Sequence, residues 1–257
     1  IVAIAACFVT RLLKGVSLKE YPYDMPARNV LKSYLENGCY HIYNRGVEKR
    51  IIFTDKQDES VFLSYLKEYL TPKDTAELIK VLVDPESSAR QKAEATKLLR
   101  MNNFYGEIMF LAYCLMPNHF HFLVKQNRER SVEKFMRSLA TRYVQYFNRR
   151  HDKRVGGLFQ DAYKAVLVES DEQLLHLSRY IHRNPLLKGV SLKESPRPSS
   201  YRNYLGFLKQ EWVKPEEVLA YFVKSGINSY QAFVERNEYE EKSLKEVSTL
   251  LLDMERP

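Results

Sequence analysis

The sequence predicts an α+β fold of ferredoxin-like type, in which an antiparallel sheet has helices on one face. Short segments rich in apolar and aromatic residues, which are typical of strands, alternate with longer segments of helical periodicity. Their order places two helices between antiparallel strands, which is the arrangement of a split βαβ unit. At 257 residues the chain is also long enough to bury a sizeable core.

The predicted elements run from a first strand near residue 39 to a helix that ends near residue 184. In chain order they are strand 39–45, helix 56–70, strands 106–116 and 119–125, helix 131–150, strand 158–168 and helix 172–184. Residues 71–103 lie between the first helix and the second strand and are rich in charge and in helix formers. This composition predicts an insertion of one or two exposed helices.

Two histidines lie in the predicted strand within MPNHFHFLV. Because side chains two apart in a strand point to the same face, His119 and His121 project together, with Phe120 and Phe122 on the other face. Two neutral imidazoles on one face can bind a divalent metal if a third ligand arrives from elsewhere. Packed or solvent-exposed histidines are the alternative interpretation of this pattern.

The last predicted helix, in DEQLLHLSRYIHRNP, offers a nucleophile and a further ligand. Leucines and Ile181 recur at helical spacing, Asp171 is a candidate cap, and Pro185 stops the helix. Tyr180 and Asn184 are four residues apart, so the phenol and the amide lie on the same helical face.

Five segments in order resemble the HUH single-tyrosine transposases of small insertion sequences, in particular their REP-associated tyrosine transposase branch. The resemblance covers about residues 25–207. The segments are MPARNVLKSYLENGCYHIYNRG, LAYCLMPNHFHFLV, KFMRSLATRYVQYFNRR, GGLFQDAYKAVLV and SRYIHRNPL. It implies that His119 and His121 are metal ligands, that Tyr180 is the nucleophile and that Asn184 completes the metal site. Some relatives carry glutamine at this last position, and His182 is a competitor about 200° around the helix from Tyr180.

The chemistry that the resemblance implies is transesterification at a phosphodiester of DNA. The phenol would form a 5′-phosphotyrosyl link and release a 3′-hydroxyl, and another 3′-hydroxyl could reverse the reaction without ATP. A divalent cation would neutralise charge in the transition state and orient the scissile group. Mg²⁺ or Mn²⁺ is expected, and Mn²⁺ is the better match to imidazole.

The chain divides into three parts, of which residues 1–24 would be an anomalous N-terminal extension outside the native domain. Residues 25–207 would form the transposase catalytic domain, and residues 208–257 would form a C-terminal helical extension that contains the only tryptophan, Trp212. Pro215 is predicted at the first position of a helix in this extension. The sequence does not favour either of two roles for this extension, which are contact with DNA and packing against the catalytic domain.

Residues 1–24 differ from the remainder of the chain. IVAIAACFV is nine apolar residues, too short to span a bilayer, and it lacks the basic leading region of a secretory signal. The string LLKGVSLKE occurs at 12–20 and again at 186–194. We therefore expect an upstream fusion, with Met25 as the natural first residue. An intact peptide spanning Glu20 to Arg28 in the native protein, detected by mass spectrometry, would contradict this.

The charge balance agrees with a nucleic-acid partner, single-stranded or hairpin DNA. Lys and Arg total 40 against 32 acidic residues, which gives a formal net charge of +8. The cations of helix 131–150 are expected to face solvent or phosphate. Polar residues also interrupt two predicted strands that are otherwise apolar. The candidate DNA contacts are Arg137, Arg142, Arg149 and Arg150 on the helix, and Asn44, Arg45, Gln160 and Lys164 at the strands. A solvated helix face and roles in turns are the alternatives.

The remaining expectations concern location, assembly and competing functions. Three distant cysteines without a CxxC pair argue for a reducing cytosol and against a zinc-thiolate module. We expect a cytoplasmic protein without a membrane partner, either a monomer or a homodimer. The competing functions are a domesticated, non-catalytic binder of DNA hairpins and a metal phosphodiesterase that uses water. Intact ligands and an intact tyrosine weigh against the binder.

Overall fold

Four strands form a single antiparallel sheet. The computed structural model describes residues 34–151, 156–185, 195 and 197–236, and the single positions 245 and 248; Met25 and both copies of LLKGVSLKE lie outside them. The strands are β1 Cys39–Arg45, β2 Ile108–Met116, β3 His119–Gln126 and β4 Lys164–Val168. Their order is β2-β3-β1-β4, and each neighbouring pair is antiparallel. With a helix after β1 and another after β3, this is a ferredoxin-like arrangement, and the α+β prediction is confirmed.

The helices follow the predicted order. They are α1 Lys56–Leu70, α2 Thr75–Val83, α3 Ala89–Arg100, α4 Ser131–His151, α5 Asp171–Arg183, α6 Tyr201–Tyr204, α7 Glu216–Leu219 and α8 Tyr230–Glu235. The insertion consists of α2 and α3, which contact each other. Of the helices in the described part of the chain, none is both long enough and apolar enough to cross a bilayer.

The two faces of the sheet bury different cores. Phe120 and Phe122 pack with α1 and α4 on the first face, as the predicted fold requires. Leu123 packs with α5 on the second face. Because side chains alternate along β3, His121 shares this second face, and it lies opposite Cys114 and Tyr43 in the sheet register. The prediction put helices on one face only, whereas α5 and the segment after it also cover the other.

Two local details differ from the sequence-based expectations. The fourth strand begins at Lys164 rather than at residue 158, since Phe159 makes only an isolated bridge with Gly46. The N-cap of α5 is Ser170 rather than Asp171, because the Ser170 side chain accepts the backbone N–H of Gln173.

The segment after residue 208 packs into the core, which was one of the two alternatives for the C-terminal extension. The ring of Trp212 stacks on Tyr113 with centroids 5.3 Å apart. The buried guanidinium of Arg179 in α5 donates to the backbone carbonyls of Phe233 and Arg236, at 2.8 and 2.5 Å. The described part of the extension therefore anchors α5.

A buried carboxylate joins the start of α1 to the end of α4. Asp58 has no exposed surface, and it accepts hydrogen bonds from the Thr54 backbone at 2.9 Å, from Tyr146 at 3.0 Å and from Arg150. Burial alone would raise the pKa of Asp58. The hydrogen bonds from Thr54, Arg150 and Tyr146 outweigh burial and hold this pKa below its usual range.

We expect Asp58→Asn to lower the free energy of unfolding by about 2 kcal/mol at pH 7, because charge-assisted hydrogen bonds are lost. A depressed carboxyl pKa stabilises the fold above the usual carboxyl range, and this contribution disappears as the pH falls through the folded-state pKa. The difference between wild type and variant should therefore shrink in acid. Urea unfolding from pH 7 downward measures it, with exposed Glu86→Gln as control. An equal difference at every pH would contradict this account of Asp58.

Candidate active site

The end of the sheet near the β2–β3 turn gathers the polar residues of the second face. In one row across the strands, His119 lies between Met116 and Arg45. The next row contains Cys114, His121, Tyr43 and Lys164. Both predicted metal ligands thus project from the same face, as their spacing predicts.

The turn before His119 is held by the chain that follows β1. The backbone N–H of Gly46 donates to the carbonyl of Asn118 at 2.8 Å, and that of Ile52 donates to Pro117 at 2.8 Å. A Cβ atom at Gly46 would lie 2.2 Å from the carbonyl oxygen of Arg50. Only glycine permits this close approach, so Gly46 helps to fix the position from which His119 projects.

His121 is completely buried, and its two ring nitrogens differ. Nδ1 lies 2.9 Å from Nε2 of His41, which is also buried. Nε2 of His121 has no hydrogen-bond partner among the described residues. A buried polar atom without a partner is costly, so Nε2 of His121 is the atom in this region best suited to bind a ligand.

His119 lies at the edge of the site, and its ring, unlike that of His121, is hydrogen-bonded to two asparagine side chains. Its Nδ1 lies 2.7 Å from Oδ1 of Asn118, and the Asn184 side chain also hydrogen-bonds to its ring. The His119 and His121 rings are nearly perpendicular, with centroids 5.1 Å apart. Two imidazoles and the Asn184 amide therefore meet at one place, which is the set that the resemblance implied.

Both histidines are neutral near pH 7. Burial lowers the pKa of His119 to about 4; the Asn184 hydrogen bond opposes this, while the cations Arg45 and Arg197 add to it. Burial also lowers the pKa of His121 well below its usual value. Since metals bind neutral imidazole, both side chains have the required protonation state down to mildly acidic pH.

Tyr180 reaches the same site from α5. Its ring meets the His121 ring edge to face, with centroids 5.4 Å apart. Leu177 and Ile181 are buried on the sheet side of the helix, which orients α5 so that the phenol lies beside the imidazole.

The residues present fit a divalent metal. Nε2 of His121 has no hydrogen-bond partner among the described residues, the His119 ring lies beside the His121 ring, and the Asn184 side chain contacts the His119 ring. All three side chains are neutral and can act as ligands. No group of three or more His, Cys, Asp or Glu residues that could hold a metal occurs within the described ranges. A metal bound here would therefore depend on the amide, or on non-protein oxygens, for ligands beyond the two histidines.

His182, the competing ligand, belongs to the core. Its Nδ1 lies 2.6 Å from the hydroxyl of Tyr230, and its Nε2 lies 2.7 Å from Oγ of Ser200. Burial lowers its pKa to about 3. Both ring nitrogens of His182 are hydrogen-bonded on the side of α5 away from Tyr180. The geometry therefore favours Asn184 over His182 as the third metal ligand.

The predicted DNA contacts from the strands divide into two groups. Nε of Arg45 donates to Gln160 at 3.0 Å, and Lys164 lies in the row of His121, so these three residues border the site. Asn44 is buried, and its side chain forms hydrogen bonds with the backbone: it donates to the carbonyl of Asp161 and accepts from the N–H of Arg45.

The predicted DNA contacts on α4 lie beyond the first face of the sheet, away from the histidine pair. Arg137 pairs with Glu133 at 2.9 Å, and Arg142 pairs with Glu68 at 2.7 Å while its guanidinium covers the Tyr65 ring. Arg150 pairs with Asp55 at 2.6 Å and with Asp58. Arg149 is exposed. The structure thus gives three of these four arginines intramolecular partners and does not bring them to the site.

Two residues near the site were not predicted from the sequence. The cation of Arg197 lowers the pKa of His119, and its guanidinium contacts the sulfur of Met116 at 3.7 Å. His41 contacts His121. Arg197 lies in a proline-rich connection without periodicity, so no pattern indicated it. His41 lies within YHIYNRG, and only its pairing with β3 reveals its neighbour.

The fold and the site define a ferredoxin-like domain in which a histidine pair on the sheet faces a tyrosine on a helix. Residues 89–184 match the family described as "Transposase IS200 like". This span contains His119, His121, Tyr180 and Asn184, and the predicted resemblance is confirmed for it. The similarity supports a transposase-type function.

No curated protein matches the chain significantly. One solved structure, a REP-associated tyrosine transposase bound to a REP hairpin, is 11% identical, with coverage of 72% of this chain and 96% of that chain and a TM-score of 0.39.

Proposed function

We propose that this protein is a metal-dependent DNA transposase that cleaves and rejoins single-stranded DNA through a covalent tyrosine intermediate. The observation that carries the proposal is the contact of the Tyr180 ring with His121, whose buried Nε2 has no hydrogen-bond partner in the described part of the chain. A nucleophile and a metal ligand with an available lone pair are therefore adjacent. The match of residues 89–184 to IS200-like transposases agrees with this chemistry.

The reaction is a transesterification at phosphorus. The phenol oxygen of Tyr180 attacks the scissile phosphate and loses its proton, the bond from phosphorus to the 3′ oxygen breaks, and that oxygen leaves as a 3′-hydroxyl after it gains a proton. The 5′ end remains as a phosphotyrosine ester. The attack of a second 3′-hydroxyl on this ester rejoins the DNA and restores the phenol.

His119, His121 and Asn184 would hold the divalent cation, Mg²⁺ or Mn²⁺. A cation held there would supply charge neutralisation at the phosphate, which would help a phenol whose pKa is ordinarily about 10 to act as a nucleophile. The residues themselves orient the phosphate relative to Tyr180.

The DNA partner would be a single strand or a hairpin with single-stranded flanks. Arg45, Lys164 and Arg197 supply cations around the histidine pair, and the net charge of +8 favours a polyanion. Gln160, which accepts from Arg45, adds a polar group at the same edge. Phosphate contacts by these residues would set the position of the strand but would not read its sequence.

We expect Arg197→Gln to weaken binding of single-stranded DNA several-fold and to reduce the slope of log K against log salt by about 0.7, the share of one phosphate contact. The reason is that Arg197 borders His119, where the scissile phosphate would lie. The Glu59 carboxylate is near enough to interact with the charge of Arg197, but within the described ranges Arg197 forms no salt bridge. Fluorescence anisotropy at several salt concentrations measures both quantities. A Tyr180→Phe background prevents covalent capture.

The control for Arg197→Gln is Arg100→Gln, which removes an exposed arginine at the end of α3. It should leave the slope unchanged. Equal slopes for Arg197→Gln and Arg100→Gln would exclude a phosphate contact by Arg197.

The proposed function is tested with purified protein, labelled single-stranded DNA from both flanks of its gene, and Mn²⁺ or Mg²⁺. A denaturing gel should show a DNA adduct of protein size. Metal-dependent cleavage without an adduct would indicate the water-using phosphodiesterase. Binding of flanking hairpins without cleavage would indicate the non-catalytic binder.

A further inference from the structure

His41 is a second buried imidazole on the second face of the sheet, and the proposed chemistry does not use it. Its Nε2 lies 2.9 Å from Nδ1 of His121, and the planes of the two rings are within 13° of parallel, with centroids 5.1 Å apart. The ring of Tyr43 packs against the ring of His41, with centroids 4.8 Å apart. These contacts hold the His41 ring in one orientation relative to His121.

A hydrogen bond between two neutral imidazoles has two possible directions. If Nδ1 of His121 donates to His41, then Nε2 of His121 keeps a lone pair. If His41 donates instead, Nε2 of His121 carries the proton and cannot bind a metal. The two directions therefore differ in whether His121 can serve as a ligand.

The surroundings of His121 favour the first direction. Its Nε2 is buried and lacks an acceptor among the described residues, so a proton there would be an unsatisfied buried donor. With the proton on Nδ1, the bond to His41 satisfies it, and the Nε2 lone pair can be satisfied by a metal. His119 provides a parallel, since Oδ1 of Asn118 can accept only if Nδ1 of His119 donates.

We propose that His41 is a positioning residue, which accepts the Nδ1 proton of His121 and so fixes the tautomer and ring orientation in which Nε2 of His121 binds the metal. Outer partners of this kind orient metal-binding histidines in proteins generally. This inference rests on the proposed metal site.

Mn²⁺ binding to the full chain, followed by the electron paramagnetic resonance of free Mn²⁺, tests this role. His41→Phe keeps a ring but removes the acceptor, and it should weaken Mn²⁺ binding about 10- to 100-fold. His41→Gln restores an acceptor and should recover most of the affinity. The matched control is His176→Phe, which replaces a buried imidazole of α5 that packs on Phe233 rather than on the site. Wild-type affinity in His41→Phe, or equal losses in His41→Phe and His41→Gln, would overturn the inference.

A second measurement does not depend on the metal or on the folding of a variant. Nitrogen-15 resonances of the histidines in the metal-free wild type should show His121 protonated on Nδ1. Protonation on Nε2 would overturn the inference. If the wild type fails to bind Mn²⁺, the proposed function is wrong. The tautomer of His121 in the metal-free protein then still shows whether His41 accepts its Nδ1 proton.

Discussion

Replacing Tyr180 with phenylalanine should abolish the covalent protein–DNA adduct, with a loss of at least about 1,000-fold in its rate of formation. The substitution removes only the phenol oxygen, which is the attacking atom in the proposed reaction. The ring remains to pack beside His121, so the fold, metal binding and DNA binding should persist. Denaturing gels with labelled single-stranded DNA and Mn²⁺ measure the adduct.

A matched control for this variant is Tyr221→Phe, which removes a phenol oxygen from an exposed tyrosine of the C-terminal segment. It should form the adduct at the wild-type rate. An adduct of undiminished yield in Tyr180→Phe would show that another residue is the nucleophile. Cleavage that survives in Tyr180→Phe without an adduct would show that water is the nucleophile.

Replacing His119 with alanine should weaken Mn²⁺ binding by at least about 100-fold and reduce metal-dependent cleavage to background. Loss of a direct ligand should cost no less than the loss of an outer partner, which is about 10- to 100-fold. His119 is the better choice for this test because His121 is completely buried, and truncating it would also leave a cavity. Isothermal titration with Mn²⁺ measures the affinity.

The control for His119→Ala is His176→Ala, a buried histidine of α5 outside the site. It should retain Mn²⁺ binding, and chelation with EDTA should reduce wild-type cleavage to the level of His119→Ala. Wild-type Mn²⁺ affinity in His119→Ala would contradict its role as a ligand, and cleavage that EDTA does not affect would contradict the need for a metal.

Local patterns were sufficient to predict most of the fold. Helix 56–70 was predicted with the limits that α1 has. In the structure Asp55 caps this helix, so its first residue is fixed by a local interaction. The fourth strand was predicted too long, since LFQDAY has the aromatic content of a strand while only residues 164–168 pair with β1. Pairing depends on the neighbouring strand, and residue types alone do not reveal it.

The candidate site was predictable where its residues are close in sequence or belong to the resemblance. The i, i+2 spacing put His119 and His121 on one face, and the i, i+4 spacing put Asn184 with Tyr180. The contact of His41 with His121 joins residues 80 positions apart and depends on strand register. The sequence could not resolve the role of the cations of α4, because basic residues on a helix look the same whether they pair with Glu68 and Asp58 or face DNA. The DNA contacts predicted on this helix stay predictions.

The anchoring of α5 has a mechanical consequence. Arg179 and His182 bind the segment between Ser200 and Arg236 through buried hydrogen bonds, so any swing of α5 would have to break them. In the proposed reaction, the tethered 5′ end would then stay at one fixed point of the protein. The choice of a new joining partner would be made by the DNA, through whichever 3′ end its own folding delivers to that point.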